Sequence, residues 1–84
     1  MSNFKANIKF TLRAGILDVQ GKAVESGLHS INISQITNVR IGKYVELMVA
    51  ADSADAARVF VDDACRQLIA NPIIEDYFIE LKEI

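Results

Sequence analysis

Residues 4–12 alternate strictly. Phe4, Ala6, Ile8, Phe10 and Leu12 are apolar while Lys5, Asn7, Lys9 and Thr11 are polar, the period of two of a strand that buries one face. Beyond residues 13–17 the period changes. Asp18 can accept a backbone N–H as an N-cap, and Ala23, Val24, Gly27, Leu28 and Ile31 recur at helical spacing, with Lys22, Glu25, Ser26 and His29 on the opposite side. Gly27 costs ~1 kcal/mol of helix propensity relative to alanine, so on the apolar face it reads as a packing glycine that lets the helix approach the sheet. Residues 36–41 and 44–49 are β-rich runs divided by Gly42 and Lys43, a pair suited to a tight reversal, a bulge or a bend in a continuous strand. Ser53 is the predicted N-cap of a second helix running to about residue 69. Its stripe is Ala54, Ala57, Val61, Ala64 and Leu68, and Asp55, Arg58, Asp62 and Arg66 form a solvated charged row. Pro72 ends that helix and pushes Asn71 toward extended geometry, and residues 77–84 close the chain as a strand.

The order β-α-β-β-α-β predicts an α+β fold, a ferredoxin-like sandwich with two helices on one face of an antiparallel sheet. The other sheet face then carries Lys5, Asn7, Lys9 and Thr11 beside Tyr44, Glu46 and Met48 and beside Phe78, Glu80 and Lys82. Tyr44, Met48 and Phe78 are apolar or amphipathic on a wet face, so self-association through the sheet face or edge that bears them is expected.

A length of 84 residues with 51% hydrophobic content fits one domain, 1–84, close to the size at which burial is marginal, and an oligomer would help it. A net charge of −2 with dispersed basic residues gives no footprint for nucleic acid or an anionic membrane. No apolar run approaches the roughly 20 residues of a membrane span, which predicts a cytoplasmic protein. One cysteine and one histidine leave neither a disulfide nor a metal set, so no metal and no cofactor is expected in this chain. Nucleophilic chemistry at Cys65 needs a histidine within hydrogen-bond reach, yet Cys65 lies beside the buried stripe of one helix and His29 on the polar side of the other. Glu75 and Asp76 are adjacent on an extended backbone, which sends their side chains to opposite faces rather than pairing them. Gly15, Gly21 and Gly42 are isolated and form no phosphate-binding spacing. No catalytic residue is therefore assigned.

Three stretches carry a family resemblance: Asp18, Gln20, Gly21 and Lys22; then Val39, Arg40, Gly42, Lys43 and Glu46; then Leu68, Ala70, Asn71, Pro72, Glu75 and Tyr77. In order and spacing the chain resembles the PurS family, the small subunits of phosphoribosylformylglycinamidine synthase. It departs at Val19, where the family usually has proline, a residue that pre-sets the first helical turn. The resemblance implies a bridging subunit without catalysis of its own, in a ligase that makes formylglycinamidine ribonucleotide for purine biosynthesis from ATP and glutamine-derived ammonia. The implied partners are a large synthetase subunit, which uses ATP and magnesium, a glutaminase subunit, and a second copy of this chain. Asp18, Gln20, Lys22, Arg40, Lys43, Asn71 and Glu75, polar residues of the loops, are the candidate partner contacts. A reading of a different class is an ACT-like ligand-sensing domain, which shares the strand and helix order.

Overall fold

The computed structural model describes residues 2–84. Its elements are β1 (Ser2–Leu12), α1 (Val19–Ser30), β2 (Lys43–Ala51), α2 (Ala54–Ala64) continued by a π-helical turn (Cys65–Ile69), and β3 (Glu75–Glu83). The strands form one antiparallel sheet in the order β2-β1-β3. β1 pairs with β2 through Ala6 opposite Leu47 and with β3 through Ile8 opposite Ile79. The alternation of β1 sets the inner face. Phe4, Ala6, Ile8 and Phe10 are buried beneath α2, which adds Ala57 and Val61. Fully burying a side chain the size of Ile8 or Phe10 stabilises by about 1.5–3 kcal/mol, so this strand and this helix are the centre of the domain.

The α+β class, the antiparallel sheet and the two helices stand as expected, but residues 36–41 form no strand. Their backbone donors are taken elsewhere: the Ile41 N–H donates to Asp18 Oδ2 at 2.7 Å and the Val39 N–H to Glu25 Oε1 at 3.1 Å. His29 Nε2 donates to the Ile36 carbonyl at 2.8 Å, so residues 36–41 run back along α1 instead of pairing with β2. Side chains of the first helix thus outcompete the sheet for this segment.

Nor does α1 lie on the sheet as expected: it has no close backbone approach to any strand or to α2. Helix and returning segment form an arm. The molecule measures 52 × 27 × 14 Å with a radius of gyration of 16.5 Å, against roughly 12 Å for a compact chain of this length. The expected apolar stripe on α1 is open: Val24 and Ile31 are exposed, and Gly27 has open space around it rather than a packing partner. The glycine held in close approach is Gly21, where a Cβ would collide with the Val39 carbonyl and the Asp18 carboxylate.

On α2 the Ser53 cap forms as expected, its Oγ accepting from the Ala56 N–H at 3.1 Å. The buried stripe is Ala57, Val61 and Cys65, and Leu68 is 86% exposed. The cause is the π turn. Its i→i+5 bond, Ala70 N–H to Cys65 carbonyl at 2.8 Å, brings Ile69 and Ala70 onto the inner face and swings Leu68 off it. Nor is the charged row merely solvated. Tyr77 Oη donates to Asp62 Oδ1 at 2.6 Å, and Arg58 Nη1 donates to the Ile79 carbonyl at 3.2 Å.

Candidate functional site

At the end of the sheet where β1 finishes and β2 begins, the stretches around Asp18–Lys22, Val39–Lys43 and Asn71–Glu75 meet. Two close backbone approaches bring them together. A Cβ on Gly42 would strike the Phe10 carbonyl, and one on Gly21 the Val39 carbonyl, so the end of β1, the segment entering β2 and the start of α1 stack at spacings only glycine permits.

Side chains then tie the layers. Asp18 spends both oxygens on backbone donors: Oδ1 caps α1 by accepting the Gly21 N–H at 2.8 Å, and Oδ2 accepts the Ile41 N–H. The Gly21 N–H and then the Ile41 N–H hold its carboxyl below its ordinary value, and nearby Arg40 adds to the effect. Arg40 itself donates to the Leu12 carbonyl. Lys43 Nζ donates to the Ile69 carbonyl at 2.7 Å, pairs with Glu75 Oε1 at 3.4 Å and sits 4.7 Å from the centre of the Phe10 ring. Glu75 Oε1 also accepts the Asn71 N–H at 2.7 Å, and Asn71 Oδ1 accepts the Ile73 N–H at 3.3 Å in a turn closed by its own side chain.

Of the seven residues singled out in sequence, five are therefore engaged in holding backbone. Among the described residues, the side chains of Gln20 and Lys22 make no hydrogen bond or ion pair, and both residues are exposed. Leu17, Leu68 and Ile73 are exposed apolar side chains around the same end. Sequence reasoning missed Arg13. Its backbone N–H donates to the Ile74 carbonyl at 2.8 Å, its guanidinium to the Pro72 carbonyl, and its Nε lies 3.4 Å from Asp76. A single arginine after a strand carries no pattern that would have marked it. Phe10 was read as core only, yet its ring also supports Lys43 and lies 5.9 Å from the Tyr77 ring.

The arrangement is chemically quiet. Cys65 is fully buried, and desolvation pushes its thiol above its ordinary value, so it is not poised as a thiolate. Tyr77 is pushed up to about 12, first by its hydrogen bond to Asp62 and then by desolvation. Among the described residues no group of three His, Cys, Asp or Glu side chains could hold a metal ion. What the site offers is a rigid frame with a few free side chains on its rim.

Tyr44, Met48 and Phe78 are all exposed on the outer sheet face. They are not contiguous. Lys9 lies opposite Tyr44 on one side and Phe78 on the other, and Lys5 separates Met48 from Lys82. Lys5 pairs with Glu46 at 2.8 Å, which raises its pKa, and Lys9 lies 4.0 Å from Glu80, so a charged row divides the face.

A family model described as PurS, phosphoribosylformylglycinamidine (FGAM) synthase, matches residues 5–83. The chain is similar to the phosphoribosylformylglycinamidine synthase subunit PurS of Bacillus subtilis, 40% identical over 81 residues that span 96% of this chain and 95% of that protein. It is also 40% identical to the Synechocystis subunit of the same name, over 94% of this chain and 79% of that one. Among solved structures, the PurLQS structure from Thermotoga maritima contains a similar chain, with a TM-score of 0.87 and 31% identity over the whole of both chains. Methanocaldococcus jannaschii PurS, described as one of the subunits of formylglycinamide ribonucleotide amidotransferase in the purine biosynthetic pathway, matches with a TM-score of 0.88 at 25% identity, over 96% of this chain and 98% of that one.

Proposed function

The chain belongs to the PurS family, and from that premise we propose that it is a bridging subunit of a phosphoribosylformylglycinamidine synthase, without catalysis of its own. The observation that carries the reading is the meeting of the three family stretches at one end of the sheet, in a chain matched by the family model from residue 5 to residue 83. In this reading the whole chain, 1–84, is one cytoplasmic domain that links a large synthetase subunit to a glutaminase subunit and supports ammonia transfer between them. ATP and magnesium belong to the large subunit.

The frame at the sheet end explains how a small domain can bridge. Asp18, Arg40, Lys43, Asn71 and Glu75 hold three backbone segments in fixed relation, so the rim is ordered before a partner arrives and little entropy is lost on docking. Contact with the larger chains falls to Gln20 and Lys22, with Leu17, Leu68 and Ile73 as apolar neighbours. A second copy adds to the assembly, since the outer face and the arm leave apolar side chains open that one 84-residue domain has no means to cover. An ACT-like sensor is disfavoured by the family match, and the stretch between β1 and α1 is closed by Asp18 and Arg13 on the protein's own backbone.

The test is reconstitution. Amidine formation from glutamine is measured with both larger subunits present and this chain either added or omitted. The expected result is activity that depends on the added chain; equal rates would refute the proposal.

A further inference from the structure

Arg13, Lys22 and Arg40 come from three parts of the chain and border one hollow. Arg13 follows β1, Lys22 lies in the first turn of α1 and Arg40 in the segment entering β2; with Ile16 and Leu17 they line an open hollow of about 260 Å³. Two carboxylates, Asp18 and Glu25, also line it. Both are occupied by backbone donors, Asp18 by the Gly21 and Ile41 N–H groups and Glu25 by the Val39 N–H. Asp76, the ion-pair partner of Arg13, is not part of the wall. The wall therefore carries three cations against two carboxylates, an excess of one positive charge.

The cations have donors to spare. Lys22 has no partner for its ammonium among the described residues. Arg40 spends Nη2 on the Leu12 carbonyl and keeps Nε and Nη1, while Arg13 spends Nη2 on the Pro72 carbonyl and Nε on Asp76 and keeps Nη1. The two backbone ties also hold the guanidinium groups in place, so an incoming acceptor meets donors that are already oriented and loses little affinity to side-chain ordering.

Size and charge together select the occupant. The hollow is smaller than the roughly 300–1,000 Å³ of small-molecule sites, and one positive charge in excess matches a single carboxylate better than a phosphate dianion. Ile16 and Leu17 are exposed apolar side chains on its wall, a surface that a free anion would leave wet and a protein would cover. We propose that the hollow receives one acidic side chain, an aspartate or glutamate presented by a larger subunit of the complex, with its carboxylate among Arg13, Lys22 and Arg40. Guanidinium groups suit this role because their planar forks match a carboxylate. The inference rests on the bridging reading above and names the chemistry of the contact.

The test reads the concentration of this chain that gives half-maximal glutamine-dependent amidine formation at fixed amounts of both larger subunits. Lys22→Glu reverses one charge of the wall. Ala14→Glu, at another exposed position on the wall, supplies the hollow with a carboxylate of its own. Lys82→Glu, on the outer sheet face opposite Lys5, makes the same charge change as Lys22→Glu away from the hollow. Thermal melts follow the fold of each variant. Both hollow variants should need about tenfold more protein or more at low salt, and a smaller excess in ~0.5 M salt, while Lys82→Glu and the charge-conserving Lys22→Arg stay within about twofold of wild type. A hollow variant no weaker than Lys82→Glu, or Lys22→Arg as weak as Lys22→Glu, would overturn this inference and leave the bridging reading standing. A wild type that gives no stimulation at any concentration would overturn both.

Discussion

Lys43 looks like a surface cation in sequence, and the structure makes it a tie between β2, the π turn and β3. Lys43→Met removes the ammonium and keeps a chain long enough to cover the Phe10 ring. Three contacts are lost: the bond to the Ile69 carbonyl, the pairing with Glu75, and the cation over Phe10. The Lys43 side chain is 46% exposed, so each is discounted for solvent. The carbonyl bond is then worth about 1 kcal/mol, with about half that for the ion pair and for the ring contact, a loss of about 2 kcal/mol in all. For a domain of this size that is a drop in Tm of roughly 10 °C. Thermal melts at low salt and in 1 M salt provide the assay, with the salt expected to remove only the share due to Glu75. A pull-down of the large subunit, done well below the variant's Tm, completes it. The folded variant should assemble like the wild type, because its amino group is already engaged inside the chain. A variant that melts with the wild type and fails to assemble would refute this reasoning and make Lys43 a partner contact.

Gly42→Ala should destabilise by about 2 kcal/mol or more, because its Cβ meets the Phe10 backbone. Gly27→Ala, with open space around it, should stabilise by up to ~1 kcal/mol, and urea midpoints compare the two. The Asp18 carboxyl is lowered in the folded state, so its contribution is full above about pH 4, where the unfolded group titrates, and is lost as pH falls through the folded value. The acid limb of a stability profile should therefore flatten in Asp18→Asn. Tyr77 is raised to about 12, so its share of stability is present below about pH 10 and disappears as pH climbs toward 12. Absorbance titration should show a late phenol that is absent from Tyr77→Phe. Gln20→Ala combined with Lys22→Ala should leave the melt unchanged while weakening assembly in a salt-dependent way, measured by the same pull-down.

The sequence by itself determined what depends on local period and on single-residue chemistry. β1 was legible because alternation over nine residues leaves one face to bury. The starts of both helices were legible because Asp18 and Ser53 are short acceptors placed ahead of helical spacing, and Pro72 marked the turn before the last strand. The family stretches were legible as well, with their order along the chain.

Only the tertiary structure decided where those parts lie. Residues 36–41 have strand composition, but Asp18 and Glu25 capture their backbone donors, a competition that no propensity records. The stripe on α1 has core composition and stays open, because a helix whose start is tied to Ile41 is carried off the sheet in an arm. Leu68 matched the stripe of α2 until one i→i+5 turn rotated it outward. At the site, sequence marked the polar residues but not their roles. Whether a lysine or an aspartate is free or engaged depends on which carbonyls and N–H groups fold brings within about 3 Å, and those come from residues far away in the chain. Lys43 finds its acceptor at Ile69 and Asp18 finds its second donor at Ile41, which leaves Gln20 and Lys22 as the free members of a set that looked uniform in sequence.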